Sequence, residues 1–123
     1  MTSPATQRIR LDSIAYARSG DKGCNANIGL IAHSSEGYEL LCDLATEHRV
    51  LQHFAHTPVK RVQRFELPNL WALNFILFGV LGKGGSQSLA IDAQGKALGQ
   101  VLLMMEFELT PEQIASALPP VRG

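Results

Sequence analysis

Between Pro68 and Gly82 the sequence reads "NLWALNFILFGVL", and apart from two asparagines every residue in it is apolar or glycine. No other stretch limits the fold as strongly, because a run this greasy has to be covered on more than one side. It is shorter than the roughly 20 apolar residues that a membrane-spanning helix needs. With Asn69 as N-cap and Gly82 just past its end, the run predicts a helix over 70–81. On that helix Leu70, Leu73, Leu77 and Leu81 form a stripe that can face a sheet. Trp71, Phe75 and Phe78 are left on another side as a surface for association.

The sheet comes from segments with a period of two. From Gln7 to Arg18 the odd positions Ile9, Leu11, Ala15 and Ala17 are apolar and Arg8, Arg10 and Asp12 alternate with them, which predicts a half-buried strand. "NIGLIAHS" and "VKRVQRFEL" read as further strands, the second ended by Pro68. "SLAID" and "ALGQVLLMMEFEL" flank Asp92 to Gly95, a hairpin signal, and in the last strand Val101, Leu103, Met105, Phe107 and Leu109 fall on one face. "SSEGYELLCDLATEHRVLQHFAH" is helical, broken near Thr46, which can cap its second half. This order implies an antiparallel sheet covered on one face by helices, an α+β two-layer domain, rather than alternating βαβ units.

At 123 residues, 46% of them hydrophobic, the chain suits one domain over 1–123, with a core at about 7–110 and a flexible tail from 111. Eleven basic and eleven acidic residues cancel, so neither a nucleic-acid nor a membrane partner is expected. "MTSPATQRIRLDS" has no apolar core of a signal peptide, and a cytoplasmic location is expected. Two cysteines, Cys24 and Cys42, without a C-x-x-C, fit a reducing compartment.

The stretch with most chemistry is "RSGDKGCNANIG", Arg18 to Gly29. Gly20 and Gly23 permit a sharp turn that aims consecutive N–H groups at one anion, with Arg18 and Lys22 adding charge. Neither this string nor "GKGGS" at 82–86 matches G-x-x-x-x-G-K-[ST] or G-x-G-x-x-G. "GDKG" fits the G-x-x-G of KH domains, but the neutral charge opposes that reading. A plain turn with Asp21 satisfying backbone donors is the alternative.

"ARSGDKGCNANIGLIA", "HFAH", "RFELPNLWALNFIL" and "SLAIDAQGKALGQVLL" occur in that order. Together they resemble the AtuA-like ferredoxin-fold domain, which forms the C-terminal part of the acyclic terpene utilisation protein and also occurs free-standing. The resemblance runs from about Ala15 to Leu103 and implies a ferredoxin-like two-layer sandwich. It also implies a setting in the breakdown of acyclic terpenes or other branched acyl-CoA compounds, with a larger AtuA-type chain as a partner. It supplies no reaction. The family usually continues "SGDKGD", whereas Cys24 stands at that last position here, which weakens a proton-transfer role and admits a thiol.

Two functional classes follow. In one, the domain is a non-enzymatic accessory module that self-associates, as a dimer or larger, or docks on a larger chain through the helix at 70–81. In the other, it is a small enzyme or an acyl-CoA- or anion-binding protein. Its ligand site is then built from Arg18, Ser19, Gly20, Asp21, Lys22, Gly23, Asn25 and Asn27, with Asn69 and Asn74 nearby. Were it catalytic, Asp21 is the natural base and Lys22 the electrostatic stabiliser. No cofactor is expected. His53 and His56 have an i, i+3 spacing on the helix face opposite Val50 and Phe54 and are the only metal candidates, though two ligands fall short of a site. A G-x-S-x-G elbow, H-E-x-x-H and the four cysteines of an iron–sulfur cluster are all missing. Lys60, Arg61 and Arg64 form a small basic cluster suited to a solvated face or to a CoA phosphate.

Overall fold

A computed structural model of the chain describes residues 5–82 and 98–119. In chain order its elements are β1 (Gln7–Arg10), β2 (Ala15–Lys22), β3 (Asn25–Ala32), α1 (Ser35–Leu44), α2 (Glu47–His53), β4 (Arg61–Leu67), β5 (Ala72–Phe78), α3 (Leu98–Leu103), β6 (Glu106–Leu109) and α4 (Pro111–Ala117). Four strands form an antiparallel sheet in the order β2-β3-β5-β4, and β1 pairs antiparallel with β6.

The greasy run is the largest departure from the sequence reading. It is strand β5, not a helix. Pro68–Leu70 forms a single 3-10 turn, and Trp71 ends it in the left-handed region at φ 51 and ψ 40. From Ala72 the chain is extended, with Leu73, Phe75 and Leu77 fully buried and Asn74, Ile76 and Phe78 half-buried. A central strand needs apolar side chains on both sides, so its sequence loses the period of two that marks a half-exposed strand. Aromatic and β-branched residues tilt the choice toward strand. The predicted Leu stripe therefore breaks up, with Leu73, Leu77 and Leu81 in the core and Leu70 66% exposed. Phe75 lies in the core and cannot belong to an association surface.

The C-terminal strand is shorter than predicted. Leu98–Leu103 is helical, Val101 and Leu103 lie within it, and only Glu106–Leu109 is extended. Phe107 and Leu109 face inward there while Glu106 and Glu108 face out, as the alternation requires. The hairpin signal at 92–95 and the segment "SLAID" lie outside the described residues. The first strand is likewise two, since a 3-10 turn at Leu11–Ser13 separates β1 from β2. Nor is the chain from residue 111 a flexible tail throughout. Residues 111–117 form α4, opened by a capping box between Thr110 and Gln113 and packed on α1. There Ser34 Oγ donates to the Ser116 carbonyl at 2.9 Å and Ala117 is fully buried beside Gly37.

Local signals elsewhere hold. Thr46 caps α2, its hydroxyl accepting from the Arg49 N–H at 3.2 Å, and Ser34 caps α1 in the same way through Gly37. The core lies between the helices and one face of the sheet. Ala26, Ile28 and Leu30 of β3 stand beside Leu77, Phe75 and Leu73 of β5 on that face. α1 packs on the central strands β3 and β5, α3 on β2 and β3, and α2 on β4.

Candidate functional site

Because the helices cover one face, the alternate residues of every strand project from the other, which is open to solvent among the described residues. The registers line these residues up in rows across β2, β3, β5 and β4. One row is Tyr16, Ile31, Ala72 and Leu67; the next is Arg18, Gly29, Asn74 and Phe65; the third is Gly20, Asn27, Ile76 and Gln63. Successive rows are about 7 Å apart, two residues along a strand. Beyond the third row, Arg61 pairs with Phe78 and its guanidinium lies 3.9 Å from the ring centroid.

Gly20 and Gly29 lower the floor of this face. A Cβ on Gly20 would meet nothing within 4 Å, and one on Gly29 would make only ordinary contacts. Neither glycine is demanded by packing, and the space that side chains would fill remains a cleft of about 560 Å³. Arg18, Asn27 and Asn74 stand round it, with Ile76 and Phe78 as its apolar part. Arg18 is exposed and pairs with no carboxylate among the described residues. None of the described positions that face the solvent on this side of the sheet is Asp or Glu.

The structure sorts the predicted site residues. The sharp anion-holding turn at "SGDKG" is absent, since β2 stays extended through Lys22 and only Gly23 and Cys24 form the turn, Gly23 at φ +66. Extended N–H groups alternate in direction and do not converge on one point. Ser19 points the other way, under α3, where its Oγ accepts from the Gly99 N–H at 3.3 Å. Asp21 shares that helix-side parity, opposite Ala26 in register, yet at the exposed strand end both it and Ser19 also line the cleft. Lys22 is placed at the strand end, opposite Asn25. Asn25 borders the cleft, but its Oδ1 accepts from the Gly79 N–H at 2.9 Å and ties the hairpin to the end of β5. Asn27 and Asn74 are in the cleft, whereas Asn69 is exposed on the 3-10 turn beyond the far end of β5. Trp71 is 42% exposed at that same corner, and Phe78 lines the cleft.

His53 and His56 do not share one helix as predicted: α2 ends at His53, so His56 lies beyond it, and the His53 Nε2 is 2.7 Å from the Val101 carbonyl. No group of three His, Cys, Asp or Glu is placed to hold a metal among the described residues. Arg64 is not part of a solvated basic face. Its guanidinium donates to the Cys42 and Ala45 carbonyls at 2.8 and 3.2 Å, closing the C-terminus of α1, and to Glu66 at 2.8 Å. Nearby, burial and a hydrogen bond with Cys42 push the Tyr38 hydroxyl up to about 12. Gly29 and Ile76 are additional to the predicted site residues, and Phe78, predicted for an association surface, lines the cleft instead. The signal was the spacing of Asn74, Ile76 and Phe78, which has a period of two.

Antiparallel sheet, helices on one face and a cleft on the other define the chain as an α+β protein of the ferredoxin-like class. The sequence pattern of the AtuA ferredoxin-like domain matches residues 9–108, and the chain belongs to that family. No curated protein and no solved structure matches it. No helix among the described residues is long and apolar enough to cross a membrane.

Proposed function

We propose that this chain is a binding module whose open sheet face holds a small anion with an apolar part, working as an accessory to AtuA-type proteins. The observation that carries the reading is the cleft itself: Arg18, Asn27 and Asn74 surround a glycine floor beside Ile76 and Phe78. The Arg18 guanidinium, in no ion pair among the described residues, supplies charge and paired N–H donors, and the two amides add donors and acceptors that fix orientation. Ile76 and Phe78 offer the apolar surface that typically dominates a small-molecule site. Asp21, the natural base, also lines the cleft, but its strand parity is opposite to that of Arg18, which supports binding over turnover. Family membership supports a setting alongside a larger AtuA-type chain. In acyclic terpene or branched acyl-CoA breakdown the fitting ligands are branched carboxylates and their CoA thioesters.

Titration calorimetry with medium-chain carboxylates and CoA thioesters, straight and methyl-branched, tests the reading. Arg18→Ala should weaken binding roughly 10- to 100-fold, the loss of one charged hydrogen-bonding partner. Asp21→Ala, at the cleft's edge and of opposite strand parity, should change it far less. If no carboxylate or thioester binds, or if Asp21→Ala abolishes binding and Arg18→Ala does not, the reading is wrong.

A further inference from the structure

Phe78, the apolar end of the cleft, has a cation lying on it. Arg61 of β4 is its register partner, and the guanidinium stands 3.9 Å from the ring centroid. Arg61 is exposed and enters no ion pair among the described residues, while Glu66 on the same strand is taken by Arg64 at 2.8 Å. A ring beneath a guanidinium fixes the plane of the group and leaves its N–H edge free. Little side-chain freedom is then left to lose when an anion binds that edge. Arg61 is therefore an oriented cation without a counter-charge beside one end of the cleft, and Arg18 borders the same cleft as a second unpaired cation.

We infer that Arg61 holds a second anionic group of the cleft ligand, so that the ligand carries an anion at each end of an apolar segment. The inference rests on the reading of the cleft as an anion site at Arg18 and narrows the ligands that fit it. Register sets the pieces in line. Arg18 stands on β2 in the row of Gly29 and Asn74, Ile76 on β5 in the next row, and Phe78 with Arg61 in the row after that. The line runs diagonally across the sheet, from one cation over Ile76 and Phe78 to the other. Two strand spacings and two rows put the backbone of Phe78 about 17 Å from that of Arg18. The acidic residue lining the cleft, Asp21, stands on the edge strand β2 opposite Ala26, so the diagonal leads away from it towards β4. A carboxylate with one charged end satisfies one guanidinium and leaves the other unused. A long diacid satisfies both and lays its apolar middle on Ile76 and Phe78. The CoA half-thioester of such a diacid does the same, with its free carboxylate at one cation and its phosphates at the other.

Titration calorimetry with paired probes separates this inference from the reading beneath it. The probes are straight α,ω-dicarboxylates of increasing length, the monocarboxylates of equal length, and the CoA half-thioesters of the same diacids. The best dianion should bind the unaltered chain about tenfold or more tighter than its monocarboxylate, the gain from one further charged hydrogen-bonding partner. Arg61→Ala should erase that preference and leave monocarboxylate binding unchanged, whereas Arg18→Ala should weaken both. Arg61→Lys, which keeps the charge without the planar fork, should retain part of the preference. Arg61 is exposed, so neither of its variants opens the core. If the diacids show the preference, the second group at Arg61 is a carboxylate; if only the half-thioesters do, it is a phosphate. Dianions that bind no tighter than monocarboxylates overturn the inference. So does an Arg61→Ala variant that weakens both kinds alike, since Arg61 then only supports Phe78. In both of those cases the anion site at Arg18 stands. Failure of every carboxylate and thioester to bind removes that site and this inference together.

Discussion

The two faces of the sheet are built from the same strands, yet they follow opposite rules. On the helix side Ile28, Leu30, Leu73, Phe75 and Leu77 are fully buried against α1 and α3, and no polar side chain is buried among the described residues. On the other side glycine, asparagine and arginine alternate with Ile76, Phe78 and Tyr16 at half-buried and exposed positions. One residue along a strand separates a position that holds the domain together from one that is available to something else. Stability and binding are therefore divided by parity rather than by region of sequence, and β5 carries both.

The sharpest way to break this comparison is to truncate neighbours in β5. Phe75→Ala opens a cavity in the packed layer and should cost about 3–5 kcal/mol, whereas Ile76→Ala, one position on, should cost about 1 kcal/mol. Urea unfolding of the two variants measures the gap, and equal losses would mean that the open face is as structural as the closed one. Alkaline titration probes the helix side through Tyr38. The native state keeps a proton up to about 12 that the unfolded chain gives up near 10, so the unfolded state binds fewer protons between those values. Stability should be intact below pH 10 and fall as the pH climbs toward 12, a slope that Tyr38→Phe removes.

A smaller stability effect, with a large effect on binding, is expected at Gly20. A Cβ there meets nothing within 4 Å, and Val relieves the flexibility of glycine in a strand, so folding should be unchanged or improved by up to about 1 kcal/mol. The same side chain fills the cleft and should abolish ligand binding. A variant that is both stable and fully competent to bind would place the ligand elsewhere. The smallest effect concerns the outer pair of strands. Arg8 and Thr6 hydrogen bonds hold the Glu108 carboxyl below the usual range at an exposed site. That contribution is present above the ordinary carboxylate pKa and lost as the pH falls through the lowered one. Screening keeps it small, and Glu108→Gln should barely change the acid limb of a stability profile.

How much of this could be read beforehand depended on whether a signal was local. The break at Thr46 is a short-range cap, a hydroxyl reaching the N–H three residues on, and it stands where the sequence put it. β3 and β4 kept enough alternation to be recognised, and β2 only as the second part of a strand read from Gln7 to Arg18. The run after Pro68 did not, because Leu73, Phe75 and Leu77 were buried by the helices while Ile76 and Phe78 partly cover the far side. A segment apolar on both sides satisfies a helix and a central strand equally well. The stretch Leu98–Leu109 failed for the same reason, with a helix and a strand joined inside one apolar sequence. Reading β5 as a helix also hid the site, since a helix turns Ile76 away from Asn74 and Phe78.

Sequence by itself determined the α+β class, the Thr46 cap, the strand that follows the Gly23 turn and the family to which the four motif blocks belong. Each of these rests on residues a few positions apart, where hydrogen bonding and side-chain direction are fixed by local geometry. Tertiary structure alone decided that Asn74 of β5 stands in one row with Gly29 and Arg18, that Ser19 turns under α3 and that Trp71 is held on the surface. Those facts depend on the register between distant strands, and register is set by burying one face of the whole sheet at once.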